Sequence, residues 1–270
     1  MNKDNPTHYI RRIKKLLKYI YFCYLNFFWA LPKSGGSDNF KGTAHVLLVK
    51  NIEYVAFAKI CANSFLNFHQ NSKVVVHCDS ITYDLAKSRL SSIFLNRRIE
   101  VLKDQSKSKS WQILKTRLII SLSNSHDIYM DADLRWRSSV QRLQTLTFFV
   151  NEFDFRDNVT FAKLLDFPIF KELNNPIMRN TSFVTFGGIE AEVIISKLIL
   201  ETVENFSKIL KTLNVTETER IQLDRLSEQI SISLLSERVT SEIKFLKNSD
   251  SRLDKGIVES PYFGATGLGF

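Results

Sequence analysis

The segment HDIYMDADLRW, residues 126–136, is an apolar run that stops abruptly at two carboxylates, Asp131 and Asp133, and then turns apolar again. Its first part, DIYM (127–130), reads as a short buried strand. Upstream the same signature recurs: HVLLVKN (45–51), KVVVHCD (73–79) and RIEVL (98–102) are rich in β-branched residues and leucine. Helical patterns fill about 53–68, 81–95 and 110–123 between them. Alternation of this kind predicts an α/β fold, a doubly wound, mostly parallel sheet flanked by helices. Beyond residue 134 the pattern loosens. FFVNEF (148–153) and SFVTF (182–186) read as strands, 190–213 and about 217–237 as long amphipathic helices, and EIKFLK (242–247) as a last strand before the Gly-rich tail PYFGATGLGF.

Composition removes several function classes. The chain has 270 residues, 44 % hydrophobic and 24 % charged, with nine Gly and five Pro, which excludes a fibre, a repeat array or a mostly disordered chain. Cys23, Cys61 and Cys78 are widely spaced and form no CxxC, so they support neither a disulfide framework nor a zinc knuckle and point to a reducing compartment. No G-x-G-x-x-G, Walker A, G-x-S-x-G or H-E-x-x-H occurs, which speaks against dinucleotide oxidoreductases, P-loop enzymes, α/β-hydrolases and zincins.

The formal charge of +9 is unevenly spread. Residues 1–41 hold six Lys and two Arg against Asp4 and Asp38, leaving little excess for the rest and no basic, aromatic-studded groove for nucleic acid. Arg11, Arg12, Lys14, Lys15 and Lys18 alternate with Ile10, Ile13, Leu16 and Leu17 at helical spacing, and the aromatic run YIYFCYLNFFWAL (19–31) follows. That run is too short to span a bilayer, which takes ~20 residues, but suits the interface. It predicts a membrane-tethering segment on the cytoplasmic side, peripheral to the inner face. A helix packed on the protein's own body or on a partner, or a signal peptide, are the other readings. Pro32 and KSGGSDNFKG form a linker, so the domains are expected as 1–41, tether and linker, and 42–270, the folded body.

In parallel sheets ligands bind beyond the carboxyl ends of the strands. Those ends carry Lys50 and Asn51, then His77, Cys78 and Asp79, then Asp131, Ala132 and Asp133. With 14 aspartates in the chain, roughly 0.7 D-x-D triplets are expected by chance, so position and not occurrence carries the signal. Two carboxylates at i and i+2, at the end of a strand, share one side of the chain and suit a hard divalent ion, Mg²⁺ or Mn²⁺, with a diphosphate completing its shell. Asp224 and Glu228 sit at i and i+4 of one predicted helix, and a carboxylate there can act as general base. The alternative is an exposed helix face compensated by Arg220 and Arg225. His77, within a run of valines, reads as polar lining or as a satisfied core residue. Gly187 and Gly188 read either as a turn or as a place where backbone approaches a ligand.

HDIYMDADLRW resembles the D-x-D segment of GT-A type glycosyltransferases, enzymes that use nucleotide-diphospho-sugars. Trp111, Lys115 and Arg117, the NTSFVTFGG stretch (180–188) and RLSEQISISLL (225–235) are similar, in order along the chain, to segments of bacterial sugar transferases of surface-polysaccharide type. The resemblance covers roughly 43–270. It implies that Asp133 ligates the metal and that Asp131 touches ribose or supports the metal. It also implies that Lys115 or Arg117 faces phosphate, that Asp79 contacts base or ribose, and that Gly187 and Gly188 lie near the donor sugar; by its place at a strand end Asp79 reads equally as a turn-former. Glu228, with Asp224, is the candidate base of an inverting enzyme. The partners implied are a nucleotide-sugar donor and a glycan or lipid-linked acceptor. The C-terminal His that completes the metal shell in several such families has no counterpart, because all five histidines precede residue 127; Asp250, Asp254 or water stand in its place. The tail is expected as a lid over the donor. The rival expectations are a sugar-phosphate nucleotidyltransferase, which would carry a Gly-rich loop after the first strand, and a membrane-tethered, non-catalytic scaffold.

Overall fold

The computed structural model describes residues 40–90, 98–104, 110–136, 139, 144–171, 173–190, 193–239, 243–246 and 258–259, with Ile13 and Leu17 as isolated helical positions. The rest of the N-terminal segment, Asp250, Asp254 and the Gly-rich tail lie outside the described residues.

The first half follows the sequence reading closely. β1 (Thr43–Leu48), α1 (Tyr54–Phe68), β2 (Lys73–Cys78), α2 (Tyr83–Leu90), β3 (Ile99–Lys103), α3 (Trp111–Ser121) and β4 (Ile128–Met130) alternate along the chain. β5 (Arg135–Trp136), β6 (Thr147–Phe148), β7 (Asn151–Asp154), α4 (Val159–Ala162), α5 (Pro168–Lys171), β8 (Ile177–Arg179) and β9 (Phe183–Thr185) come next. The chain continues through α6 (Val193–Thr212), α7 (Glu217–Arg225), α8 (Ser227–Arg238), β10 (Lys244–Phe245) and β11 (Val258–Glu259).

Seven strands form the central sheet in the order β10-β6-β9-β4-β1-β2-β3. β1 pairs in parallel with β2 and β4, β2 with β3, and β10 with β6. β9 alone runs the other way, antiparallel to both β4 and β6. Period-2 alternation distributes the strand side chains between the faces. Ala44, Val46 and Leu48, with Val74, Val76, Ile128 and Met130, pack under α1 and α2, whereas Tyr129, Phe148 and Val184 face Ile119, Ile199 and Ile232 of α3, α6 and α8. A third apolar cluster, built on Phe155, Phe161, Phe170, Phe206 and Leu223, accounts for the Phe-rich stretch that has no clear period in the sequence.

Two expected elements are divided. The run 148–153 contributes to two sheets, ending β6 in the central one and then pairing as β7 with β8. The helix expected over 217–237 is broken at Leu226, whose backbone N–H still bonds back to Leu223 and Asp224. Thr216 and Glu219 form a reciprocal capping box that fixes where α7 begins.

Between β1 and β2, His45 Nδ1 and His77 Nε2 meet at 2.9 Å, and His45 Nε2 lies 3.7 Å from Asp127 Oδ2. His77 is therefore an internally partnered residue of the sheet. Burial, reinforced by the charge of His45, pushes the His77 pKa down from 6.5 to about 4. The unfolded chain takes up this proton near pH 6.5 and the folded one only near pH 4, so the contribution is complete above pH 6.5 and is lost as pH falls between those values. Its size is at most about 3 kcal/mol. In thermal unfolding series from pH 7 to pH 4, His77→Gln should flatten the fall in Tm relative to the unsubstituted protein.

Candidate active site

The turn after β4 is held from three directions. The Asp131 backbone N–H donates to the Ser182 carbonyl at 2.7 Å, the Cys61 thiol donates to the Asp131 carbonyl at 3.4 Å, and Leu134 N–H closes the turn on the same carbonyl at 3.2 Å. Two residues on, Trp136 is fully buried, donates its backbone N–H to Ser64 Oγ at 3.0 Å and stands edge-on to Phe65, His69 and Phe183. With both ends of the D-A-D turn anchored, its carboxylates open into a cleft of about 390 Å³ at the carboxyl edge of the sheet. Asn51, Tyr54, Trp111, Lys115, Tyr129, Asp131, Asp133, Ser182, Arg225, Glu228 and Gln229 line it, among others.

Lys115 is the hub. Its ammonium lies 3.1 Å from Asp131 Oδ1 and 3.1 Å from Glu228 Oε1, and the lysine and glutamate side chains are only 5 % and 4 % exposed. Burial disfavours the charged lysine, but Asp131 and Glu228 outweigh it and hold its pKa above the ordinary value. Tyr129 donates its phenol to Asp131 Oδ1 at 2.6 Å, and the Thr181 hydroxyl reaches Glu228 Oε2 at 2.9 Å. Burial and the Asp131 charge raise Glu228, with Lys115 and Thr181 opposing them. One ammonium thus serves two carboxylates, and the cluster is short of positive charge.

Asp133 feels that shortage most. Burial, followed by the charge of Asp131, pushes its carboxyl up from 3.8 to about 7. A carboxylate in this condition fits a divalent cation placed beside it, and Mg²⁺ or Mn²⁺ needs only one or two carboxylates when water and phosphate oxygens complete its shell. Among the described residues no set of three His, Cys, Asp or Glu side chains forms an all-protein metal cage. Asp131 and Asp133 are the carboxylates that the cleft offers to such an ion.

Asp131, Asp133, Lys115 and Glu228 are thus brought together, along with Trp111. The other expected residues are placed elsewhere. Asp79 Oδ1 accepts from Ile81 N, Thr82 N and Thr82 Oγ1, and its Oδ2 accepts from Lys50 N at 2.8 Å; it ties the turn opening α2 to Lys50, which has a φ of 65°, and does not line the cleft. Arg117 faces α6, paired with Glu204 at 2.8 Å, because it lies two residues from Lys115 and so on another side of α3. Asp224 is exposed, since the break at Leu226 ends the shared helical face that would have aligned it with Glu228.

Gly187 and Gly188 lie at the far end of the sheet. Because β9 is antiparallel to β4, Ser182 reaches the cleft and Thr181 reaches Glu228 behind it, while the glycines arrive beside Ser125 and His126. Their φ values of 63° and 83° form a turn, and a Cβ on Gly188 would lie 2.7 Å from His126 Cε1.

Two further residues escaped the sequence reading. Glu152 Oε1 accepts from Asn180 Nδ2 at 2.9 Å and its Oε2 from Gln229 Nε2 at 2.8 Å. A carboxylate only accepts, so both amides must turn NH₂ toward it. The Gln229 carbonyl oxygen is then the part left for a ligand. The nearest signal was Gln229's place beside Glu228 within RLSEQISISLL.

Lys115→Met should destabilise the fold by about 3–5 kcal/mol in urea unfolding, because it strands buried Glu228 without a counter-charge. The double variant with Glu228→Gln should recover part of that loss. Gly188→Ala should cost about 1–3 kcal/mol by forcing φ and His126 apart, and leave ligand binding at the cleft unchanged by titration calorimetry.

No family model matches the sequence, and no curated protein matches it. Solved structures do. Galactosyltransferase LgtC in complex with donor and acceptor sugar analogs is 12 % identical, over 68 % of this chain and 70 % of that one, at a TM-score of 0.44. Mouse xyloside xylosyltransferase 1 is 11 % identical over 77 % and 87 %, at 0.45. The bifunctional glycosyltransferase WbbM is 12 % identical at 0.46, over 78 % of this chain and 40 % of its own length.

Proposed function

We propose that the protein is a GT-A type glycosyltransferase. It would move a sugar from a nucleotide-diphosphate donor to a glycan or lipid-linked acceptor, in surface polysaccharide synthesis. The observation that carries this reading is the pair Asp131 and Asp133, aimed into a cleft at the carboxyl edge of a mostly parallel sheet, beside a buried lysine–glutamate pair.

Asp133 and Asp131 are the residues to hold Mn²⁺ or Mg²⁺, which when bound supplies positive charge to the departing diphosphate. Lys115 fixes the position of Asp131 and Glu228 before any ligand arrives, so neither carboxylate has to reorganise. Glu228, gripped by Lys115 and Thr181, is the group assigned to orient an acceptor hydroxyl and take up its proton. Gln229 offers a carbonyl oxygen to a sugar hydroxyl, its amide orientation set by Glu152. The nucleotidyltransferase reading loses support because β1 leads into Val49-Lys50-Asn51-Ile52-Glu53, with no glycine.

The N-terminal segment is assigned to tether the enzyme at the cytoplasmic membrane face, near a lipid-linked acceptor. Ile13 and Leu17, four residues apart on one helical face, are 48 % and 60 % exposed, consistent with an apolar face left for the bilayer. No helix among the described residues is long and apolar enough to cross a membrane.

Thermal unfolding with UDP, GDP, CDP or ADP, each with and without Mn²⁺, tests the reading. One nucleotide should raise Tm only when the metal is present, and Asp133→Asn should abolish the rise. Absence of any metal-dependent shift with all four would remove the transferase reading and leave the scaffold.

A further inference from the structure

We propose that Arg225 is the diphosphate-binding cation of this cleft, an inference that rests on the transferase reading and names the side chain that meets the donor's phosphates. Two cationic side chains line the cleft among the described residues, Lys115 and Arg225. Lys115 is already within 3.1 Å of both Asp131 and Glu228, and its side chain is 5 % exposed, so its capacity for a further anion is taken. Arg225 is the opposite case. It is exposed at the cleft, and no carboxylate or other acceptor among the described residues engages it.

It sits at the junction of α7 and α8, three residues before Glu228 and four before Gln229. With α7 ending at Arg225 and α8 starting at Ser227, the chain delivers Arg225, Leu226, Glu228 and Gln229 to the same cleft and leaves Asp224 outside. Tyr54 at the start of α1, Arg225, Asp131 and Asp133 all line this one cleft, so the guanidinium and the carboxylates share its opening.

The charge balance specifies the ligand. The carboxylates of Asp131 and Asp133 call for a cation, and a free guanidinium on the same opening calls for an anion. A metal-bound diphosphate satisfies both at once, and the planar fork of arginine matches two phosphate oxygens where a lysine would meet one. A neutral sugar or a nucleoside lacking phosphate would leave Arg225 unused.

The test is titration calorimetry of the full chain with UDP, GDP, CDP and ADP in Mn²⁺, followed by the monophosphate and the nucleoside of whichever base binds. Arg225→Gln should weaken the diphosphate on the order of tenfold, the loss of a charge-assisted contact. It should weaken the monophosphate less and leave the nucleoside unchanged, with Arg225→Lys intermediate. Arg117→Gln, whose partner is Glu204, should match the unsubstituted protein. Thermal unfolding without nucleotide checks that Arg225→Gln remains folded. Equal diphosphate affinity in Arg225→Gln and the unsubstituted protein, or an equal loss for diphosphate and nucleoside, overturns the role of Arg225 while leaving the transferase reading in place. Failure of the unsubstituted protein to bind any of the four diphosphates removes both.

Discussion

A lysine buried between two carboxylates sets the terms for everything around it. Lys115 comes from α3, Asp131 from the end of β4 and Glu228 from the first turn of α8, so three elements must converge before any of the charges is tolerable. Each alone would be a severe burial penalty, and together they are stable only because Tyr129 and Thr181 supply the remaining hydrogen bonds. α8 is buried on several sides and its polar side chains are met one by one: Glu228 by Lys115 and Thr181, Gln229 by Glu152, and Ser231 by the Ser227 carbonyl.

The first half of the fold was legible because its central strands β2 and β4 are buried on both faces and therefore written as continuous apolar runs, KVVVHC and DIYM. The D-A-D pair was legible for the same reason: a hydrophobic run that ends in two carboxylates has only the sheet edge as a place for them. The second half resisted. Nothing in SFVTF encodes strand direction, since period-2 alternation is the same read up or down, and the position of Gly187 and Gly188 depends entirely on that direction.

The break at Leu226 had no glycine or proline to announce it. It follows from tertiary demand: Leu223 is fully buried in the Phe-rich cluster while Glu228 must reach Lys115, and one straight helix does not aim both. Asp79 and Arg117 are polar residues at promising places that local structure engages, the first in a turn and the second with a partner helix. Glu152 was invisible because an exposed carboxylate on a short strand has no period to betray it.

The reversed strand β9 has a consequence for biosynthesis. Met130 pairs with Phe183, and Asp131 takes its last backbone partner from Ser182, so the cleft's floor closes only after β9 has been made, and its charge balance only after Glu228 has followed. A chain emerging from the ribosome can therefore assemble β1 to β4 early, as a parallel half-sheet with Lys115 opposite Asp131 alone. The site matures only once α8 has been made, and a chain ended anywhere before α8 would carry a partly built sheet with an unfinished pocket.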